Sequence, residues 1–353
     1  MPFMSRFSPL LPASLLAVAT FVPGTAQYAA SALSAYVPIF SRLDWLFGSS
    51  TRIKATLGVL FALDAIRWLN RTLNNMSYNA WRFGSVDGWD WPNEIALVTG
   101  GSGGIGQLLT ERLHAEGMRV IVLDLQELPK SLRDKPGISF YKCDLTNPQE
   151  VADAADAVRA EVGHPSIVIN NAGLCRLAPI LQTSAEDVQK VFGVNCIALW
   201  LTTKQFLPNM IRQNKGHVMT IASIASFIAL PRAGDYSASK AASLAFHETL
   251  ATELKFLYQA PNVLTTTFHP NFVRTPLIKD FQHYLEEAGH KFLEPDFVAD
   301  KIVAQLLRKQ GGRIVLPEEQ GIITGVRAWP AWIQQLIRDS FGPMSVIPGE
   351  KFV

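Results

Sequence analysis

Cysteine is scarce in this chain, and what there is does not pair. Of 353 residues only Cys143, Cys175 and Cys196 are cysteines, and none stands in a C-x-x-C or C-x-x-H arrangement. That argues against a disulfide framework and against a zinc centre; free thiols suit a reducing compartment. An excess of charge is missing too. Charged residues make up 18% of the chain and the formal net charge is +2, so no basic stripe announces a nucleic acid or another polyanionic partner. His114, His217, His247 and His269 lack metal-ligand grouping and read as structural or exposed. There is no low-complexity tract. What is present is apolar surface: 48% of the residues are hydrophobic, ordinary for a buried α/β core and too many for a disordered chain.

Charge is absent altogether between Arg6 and Arg42, and Leu10–Val22 is dense in Leu, Ala and Val. A spanning helix needs about 20 apolar residues. This stretch is long enough, but Pro9, Pro12, Pro23 and Pro38 interrupt it and Gly24, Thr25 and Gln27 dilute it. It reads as one kinked span or as a hairpin dipping into one leaflet. Ile53–Leu69 reads as a helix at the interface, because Arg52, Lys54, Asp64 and Arg67 break its apolar pattern. The arginines and lysines that follow the uncharged stretch place the rest of the chain in the cytosol if it spans. A cleaved signal peptide and an arm packed on the protein's own core are the competing readings. The expectation is that residues 1–90 form an apolar arm attached to a membrane.

After the linker Gly84–Pro92 the grammar changes to alternating strand and helix. Strands are expected at 95–99, 119–123, 138–141, 166–169, 216–221, 262–268 and 313–316, with helices at 104–116, 148–161, 185–213, 236–258 and 296–309. Such alternation predicts an α/β fold: a single Rossmann-type doubly wound parallel sheet of about seven strands, with the apolar helical arm as an N-terminal extension. The domain division expected is 1–90 for the arm, 91–320 for the sheet domain and 321–353 for an amphipathic tail. In that tail Trp329, Trp332, Leu336, Ile337 and Phe341 stand with Arg327 and Arg338, a combination that suits a membrane interface or a packing contact.

The run Ile95–Thr99 leads straight into Gly100-Gly101-Ser102-Gly103-Gly104-Ile105-Gly106, and a helical pattern follows. Strand, glycine turn and helix form the context in which backbone N–H groups cradle a pyrophosphate. The second strand ends on Asp124. A carboxylate there accepts hydrogen bonds from the ribose hydroxyls of NAD and repels the added phosphate of NADP. Neither Gly103 nor Leu125 supplies a cation for that phosphate, so NAD(H) is favoured over NADP(H).

Here the chain resembles the short-chain dehydrogenase/reductase family. Thr99-Gly100-x-x-x-Gly104-x-Gly106 has that family's glycine spacing, and further blocks follow in family order over roughly residues 94–316. By that resemblance Gly100, Ser102, Gly104, Ile105 and Gly106 hold the cofactor phosphates, Asp144 and Leu145 meet the adenine, and Asn171, Ala172 and Gly173 line the cofactor after the fourth strand. Asn195, Ser223, Tyr236 and Lys240 match the catalytic tetrad. Asn271, Val273 and Thr275 belong to the loop that closes over the nicotinamide; Asn271 stands where the family commonly has glycine. The long arm is similar to that of membrane-attached members that handle steroids, retinoids and other lipids, which implies the endoplasmic reticulum or a lipid droplet.

The chemistry fits the residue types. Moving hydride at a carbinol carbon requires moving a proton on its oxygen, and an ordinary tyrosine, with pKa about 10, is too weak a base at neutral pH. Lys240 lies one helical turn after Tyr236, on the same face, and a nearby ammonium is expected to lower the tyrosine pKa. Tyr236 is then base in oxidation and acid in reduction. Ser223, at a strand end, orients the substrate oxygen. In the family Asn195 and a water extend a proton path from Lys240. Leu277, Ile278, Phe281, Tyr284 and Phe292 follow Thr275, in the segment that covers substrate in the family, and point to a lipophilic substrate. Small residues at Ala238, Ala241, Ala242 and Ala245 suggest a homodimer face. The alternatives are a non-catalytic nucleotide-binding scaffold at a lipid surface and a soluble reductase of a small ketone.

Overall fold

The structure is a computed structural model that describes residues 50–287 and 289–342. The uncharged stretch before Arg42 and the end of the tail lie outside the described residues. The chain divides into two units at Ser77–Tyr78. What is described of the first is helix α1 (Ser50–Tyr78), which extends the expected Ile53–Leu69 helix at both ends. Val59, Ile66, Trp68, Leu69 and Leu73 are exposed on it, and Asp64 pairs with Arg67 at 3.5 Å. Among the described residues no helix is long and apolar enough to cross a membrane.

The second unit is built on a seven-stranded, wholly parallel sheet in the order β3-β2-β1-β4-β5-β6-β7. The strands are β1 (Ile95–Thr99), β2 (Arg119–Asp124), β3 (Ile138–Lys142), β4 (Ile167–Asn170), β5 (Gly216–Ile221), β6 (Val263–Pro270) and β7 (Gly312–Leu316). Every residue of β1, β4, β5 and β6 is buried, as continuous apolar runs covered on both faces must be. Side chains alternate between the faces. Ile95, Leu97, Ile121, Leu123 and Val168 join one core, with helices α4 (Pro148–Glu161), α6 (Ala198–Gln213) and α7 (Gly234–Phe256) packed on it. Ala96, Val98, Val120, Val122, Ile167 and Ile169 join the other, with α2 (Gly104–Ala115) and α9 (Pro295–Leu307). Strand order reverses between β1 and β4, so a crevice opens there at the carboxyl ends of the strands.

The expected helix over 185–213 is interrupted. α5 (Ala185–Phe192) passes through a π-turn at Gly193–Ile197 before α6 begins. Tertiary contacts hold the extra residue of the turn: Gly193 packs so closely on Thr146 that a Cβ would lie 3.0 Å from its methyl group, and the Asn195 amide is bonded outside its own helix. After the short helices α3 (Lys130–Arg133) and α8 (Gln282–Glu287), the chain ends its described course in α10 (Ala331–Ser340). Ile337, and Phe341 just beyond α10, pack into a cluster with Leu230, Tyr236 and Phe272. Trp332 and Leu336 face outward and are exposed.

Three histidines are sealed in this unit. His217 Nε2 lies 2.8 Å from Thr266 Oγ1, His247 Nδ1 3.2 Å from Thr220 Oγ1 and His269 Nδ1 3.0 Å from the Ser223 carbonyl oxygen. Burial disfavours the imidazolium and lowers each pKa to about 3. In the unfolded chain they titrate near 6.5, so the unfolded state takes up protons first. Stability is therefore full above pH 6.5 and falls with pH, by about 1.4 kcal/mol per pH unit for each histidine. Urea midpoints should drop steadily between pH 7 and pH 5.5. A flat profile over that window, where few carboxylates titrate, would contradict it.

Candidate active site

The crevice is a cavity of about 620 Å³ lined by the loops that follow β1 to β6. Glycine is required in the first loop for two reasons. Gly100 and Gly104 have φ of +64° and +55°, a region costly for other residues. Gly106 is needed for space: a Cβ there would lie 1.9 Å from Gly100 O and 2.5 Å from Asn171 Nδ2. Gly106→Ala must push the loop away from β4. We expect it to destabilise the protein by about 1–3 kcal/mol and to weaken NADH binding, read by thermal melting and fluorescence titration; unchanged NADH affinity would contradict this role for the loop.

Asp124 stands at the end of β2 with both carboxylate oxygens fixed. Oδ2 accepts the Ser102 N–H and Oδ1 the Gln126 N–H, each at 2.9 Å. Ser102 Oγ donates to Gln126 O at 2.6 Å, so the Ser102 side chain supports the acid from behind and does not line the cavity. Asp144 Oδ1 accepts from the Thr146 N–H and hydroxyl at 2.9 and 2.7 Å, and Leu145 lies beside it on the cavity wall. Asn171 lines the cavity, but its Nδ2 donates to Thr99 O and Gly100 O, both at 3.0 Å. Its side chain holds the glycine loop against β4. Ala172, Gly173, Ile105, Val273 and Thr275 complete the part of the lining that the sequence suggested.

Ser223, Tyr236 and Lys240 meet in the same cavity. Ser223 leaves the end of β5 on the wall that Tyr236 also lines. Lys240 Nζ donates to Ile221 O at 2.8 Å and lies 5.7 Å from the Tyr236 ring centroid. Asn195 is behind the cavity. Its Oδ1 accepts the Leu174 N–H at 2.7 Å, its Nδ2 donates to Leu174 O at 2.8 Å and Ser239 Oγ at 3.0 Å, and its carbonyl accepts from Ser243 Oγ at 2.7 Å. The π-turn carries Asn195 into this buried network.

The electrostatics correct one expectation. The helical spacing suggested a tyrosine pKa lowered by Lys240. Burial decides here: it pushes the Tyr236 phenol up, Cys175 adds to the rise and the Ser223 hydroxyl pulls the other way, and it lowers Lys240 to about 8. Spacing identifies a neighbour; it does not report how much water either group has lost. Asn271 lies on the cavity wall. Its Nδ2 donates to Gln320 Oε1 at 2.9 Å and its Oδ1 accepts the Phe272 N–H at 2.8 Å, so its amide ties the loop to the C-terminal segment.

Some wall residues carried no motif. Cys175 and Leu177 follow β4, Ile224 and Leu230 follow β5, and Phe272 follows β6. Their signal was positional, since loops at the carboxyl ends of parallel strands face the crevice. Burial pushes the Cys175 thiol up to about 12, so it stays neutral beside Tyr236. Among the described residues no cluster of His, Cys, Asp and Glu could hold a metal ion.

The sequence pattern of the short chain dehydrogenases matches residues 94–285. The chain belongs to this family. Among its curated relatives is Dehydrogenase RED2 of Cochliobolus heterostrophus, 38% identical over 210 residues, covering 59% of this chain and 77% of that protein. Human estradiol 17-beta-dehydrogenase 11 is 33% identical over 237 residues, covering 65% of this chain and 77% of that protein. The resemblance to steroid dehydrogenase-like members therefore holds. As a short-chain dehydrogenase the chain is an oxidoreductase, and its family binds NAD(H) or NADP(H). Solved structures agree on the fold. Thermoplasma acidophilum aldohexose dehydrogenase has a TM-score of 0.55 at 23% identity, covering 64% of this chain and 93% of its own. A 4-hydroxyisoleucine dehydrogenase complexed with NADH has a TM-score of 0.54 at 22% identity, covering 64% of this chain and 96% of its own.

Proposed function

We propose that this short-chain dehydrogenase interconverts a hydroxyl and a carbonyl on a lipophilic substrate such as a steroid, retinoid or fatty alcohol, with NAD(H) as its cofactor. The observation that carries the reading is the convergence of Ser223, Tyr236 and Lys240 in one cavity that Asp124 also lines. The nicotinamide supplies or accepts the hydride. The chain's own residues handle the oxygen. In reduction, Tyr236 donates its proton to the carbonyl oxygen while the Ser223 hydroxyl holds that oxygen in place. In oxidation, Tyr236 takes the proton, and the Lys240 ammonium supports its phenolate. Asn195 positions the Leu174 backbone behind Lys240. Asp124 meets the adenosine ribose, Asp144 and Leu145 the adenine, and the loop Gly100–Gly106 the phosphates.

Leu177, Leu230, Phe272, Leu277 and Phe281 line the same cavity, and such walls favour an apolar substrate. The division at 1–90, 91–320 and 321–353 is retained as part of the proposal. In it the arm attaches the enzyme to the cytosolic face of the endoplasmic reticulum or a lipid droplet. The uncharged stretch before Arg42 and the exposed apolar side chains of α1 support this. Exposed Ile197 and Trp200, near the small-residue face of α7, support a homodimer. The test is steady-state turnover of the full chain on steroid, retinoid, fatty and small polar carbonyls with NADH and with NADPH. Turnover of the apolar members with NADH is expected. NADH binding without turnover of any member would favour a scaffold, and selective turnover of the polar members a soluble reductase.

A further inference from the structure

We propose that His269 is a positioning residue for the reaction: its ring Nδ1 holds the backbone carbonyl of Ser223 and so fixes where the serine hydroxyl points. The inference rests on the role given to Ser223 above. Its origin is a gap in the sheet. β5 and β6 run parallel with Ile221 beside Phe268, and the Ala222 N–H donates to Phe268 O at 2.8 Å. In a parallel ladder the next β6 donor would be residue 270, aimed at the Ala222 carbonyl, but Pro270 has no N–H. Ser223 leaves the sheet at the point where the ladder runs out of donors.

His269 holds the following carbonyl, that of Ser223, with its side chain. Nδ1 lies 3.0 Å from the Ser223 carbonyl oxygen. The Ser226 N–H reaches the same oxygen at 3.0 Å from the short turn that follows. A carbonyl oxygen has two lone pairs, and here both are used, one by the sheet side and one by the turn. The peptide plane after Ser223 is held from two directions. That leaves the hydroxyl's surroundings defined: Oγ accepts the Ala225 N–H at 3.2 Å and lies 3.4 Å from Pro270 O.

The ring is suited to this work. A carbonyl only accepts, so Nδ1 carries the hydrogen and Nε2 is left with a lone pair. Nε2 is buried without a hydrogen-bond partner among the described residues, so nothing competes for the tautomer. Phe227 packs on the ring at 4.6 Å between centroids and holds its plane. His269 is fully buried and does not line the cavity; it acts through Ser223. An ordinary core histidine would instead affect only how much protein is folded.

Two substitutions separate these roles. His269→Asn places an amide N–H close to the position of Nδ1 and loses the ring; His269→Leu loses both. Each abolishes the stacking on Phe227, so packing loss is common to the pair. Turnover is measured per NADH-binding site on the full chain, with amide hydrogen exchange at Ser226 alongside. His269→Leu is expected to lower kcat by about 10- to 100-fold, with the KM for NADH unchanged and faster exchange at Ser226. His269→Asn is expected to recover most of kcat and the slow exchange. Equal kcat in the two variants, or a wild-type kcat in His269→Leu, overturns the proposal. If the wild-type chain turns over no substrate, the proposed function fails; exchange at Ser226 that is alike in both variants would then overturn the clamp, and exchange fast in Leu but slow in Asn would support it.

Discussion

Replacing Tyr236 with phenylalanine is expected to lower kcat by about 10²–10⁴-fold, the range typical of a general acid–base group, with NADH affinity and thermal stability nearly unchanged. The substitution removes one oxygen and leaves the ring in its cluster with Leu230 and Phe272, so the fold has no reason to change. Lys240 does not stand in for the lost hydroxyl, because its Nζ is held by Ile221 O at 2.8 Å, 5.7 Å from the tyrosine ring centroid. The pH dependence follows from the same site. Burial pushes Tyr236 up, so the acid needed for reduction stays protonated through the neutral range and the reductive rate should be flat there. Oxidation needs the phenolate and should rise with pH. Lys240, lowered to about 8, carries the supporting charge most fully below that value. Steady-state kinetics in both directions with NADH titration check all of this. A Tyr236→Phe enzyme retaining a large share of its kcat would remove tyrosine from the mechanism.

The second large effect concerns cofactor choice. Asp124→Asn keeps the shape of the side chain, removes its charge and replaces one of the two acceptors of the Ser102 and Gln126 N–H groups by a donor. A hydrogen bond to a charged group contributes about 1.5–3 kcal/mol, so kcat/KM for NADH should fall by about 10- to 100-fold. The penalty against NADPH should relax, because no carboxylate then faces its added phosphate. Adding Leu125→Arg should carry the preference further. Leu125 is 54% exposed on the cavity rim, so a guanidinium there has room to reach a phosphate. The ratio of kcat/KM values for the two cofactors measures the swing. A wild-type chain that already prefers NADPH, or a ratio unmoved by Asp124→Asn, would contradict the reading of Asp124.

Much of this site is legible in the sequence because its parts are local. Ile95–Thr99 followed by the glycine loop announces a buried strand, a turn and a helix, and Asp124 announces itself by ending a strand. Tyr236 and Lys240 share a helix face by spacing alone. What is not legible depends on distant contacts. The π-turn at Gly193–Ile197 continues an ordinary helical pattern, and Thr146, Leu174 and Ser239, all from other elements, accompany its departure from it. The direction of the Tyr236 shift depends on how completely the cavity excludes water, which no spacing records. The bond from the Asn271 amide to Gln320, far along the chain, leaves no trace in the sequence. His269 reads as structural or exposed, because its bond to the Ser223 carbonyl depends on strand pairing that no spacing records. The uncharged N-terminal stretch, legible by composition, lies outside the described residues, so membrane attachment stays with the proposal.

Hydride transfer itself is the most direct test. NADH carrying deuterium at nicotinamide C4 would be given to the full chain with an apolar ketone, and the product alcohol examined by mass spectrometry. The account predicts a single deuterium on the carbinol carbon, formed by the wild-type enzyme and nearly lost in Tyr236→Phe. NADH that binds but delivers no label to any apolar carbonyl, or label delivered equally by Tyr236→Phe, would contradict it.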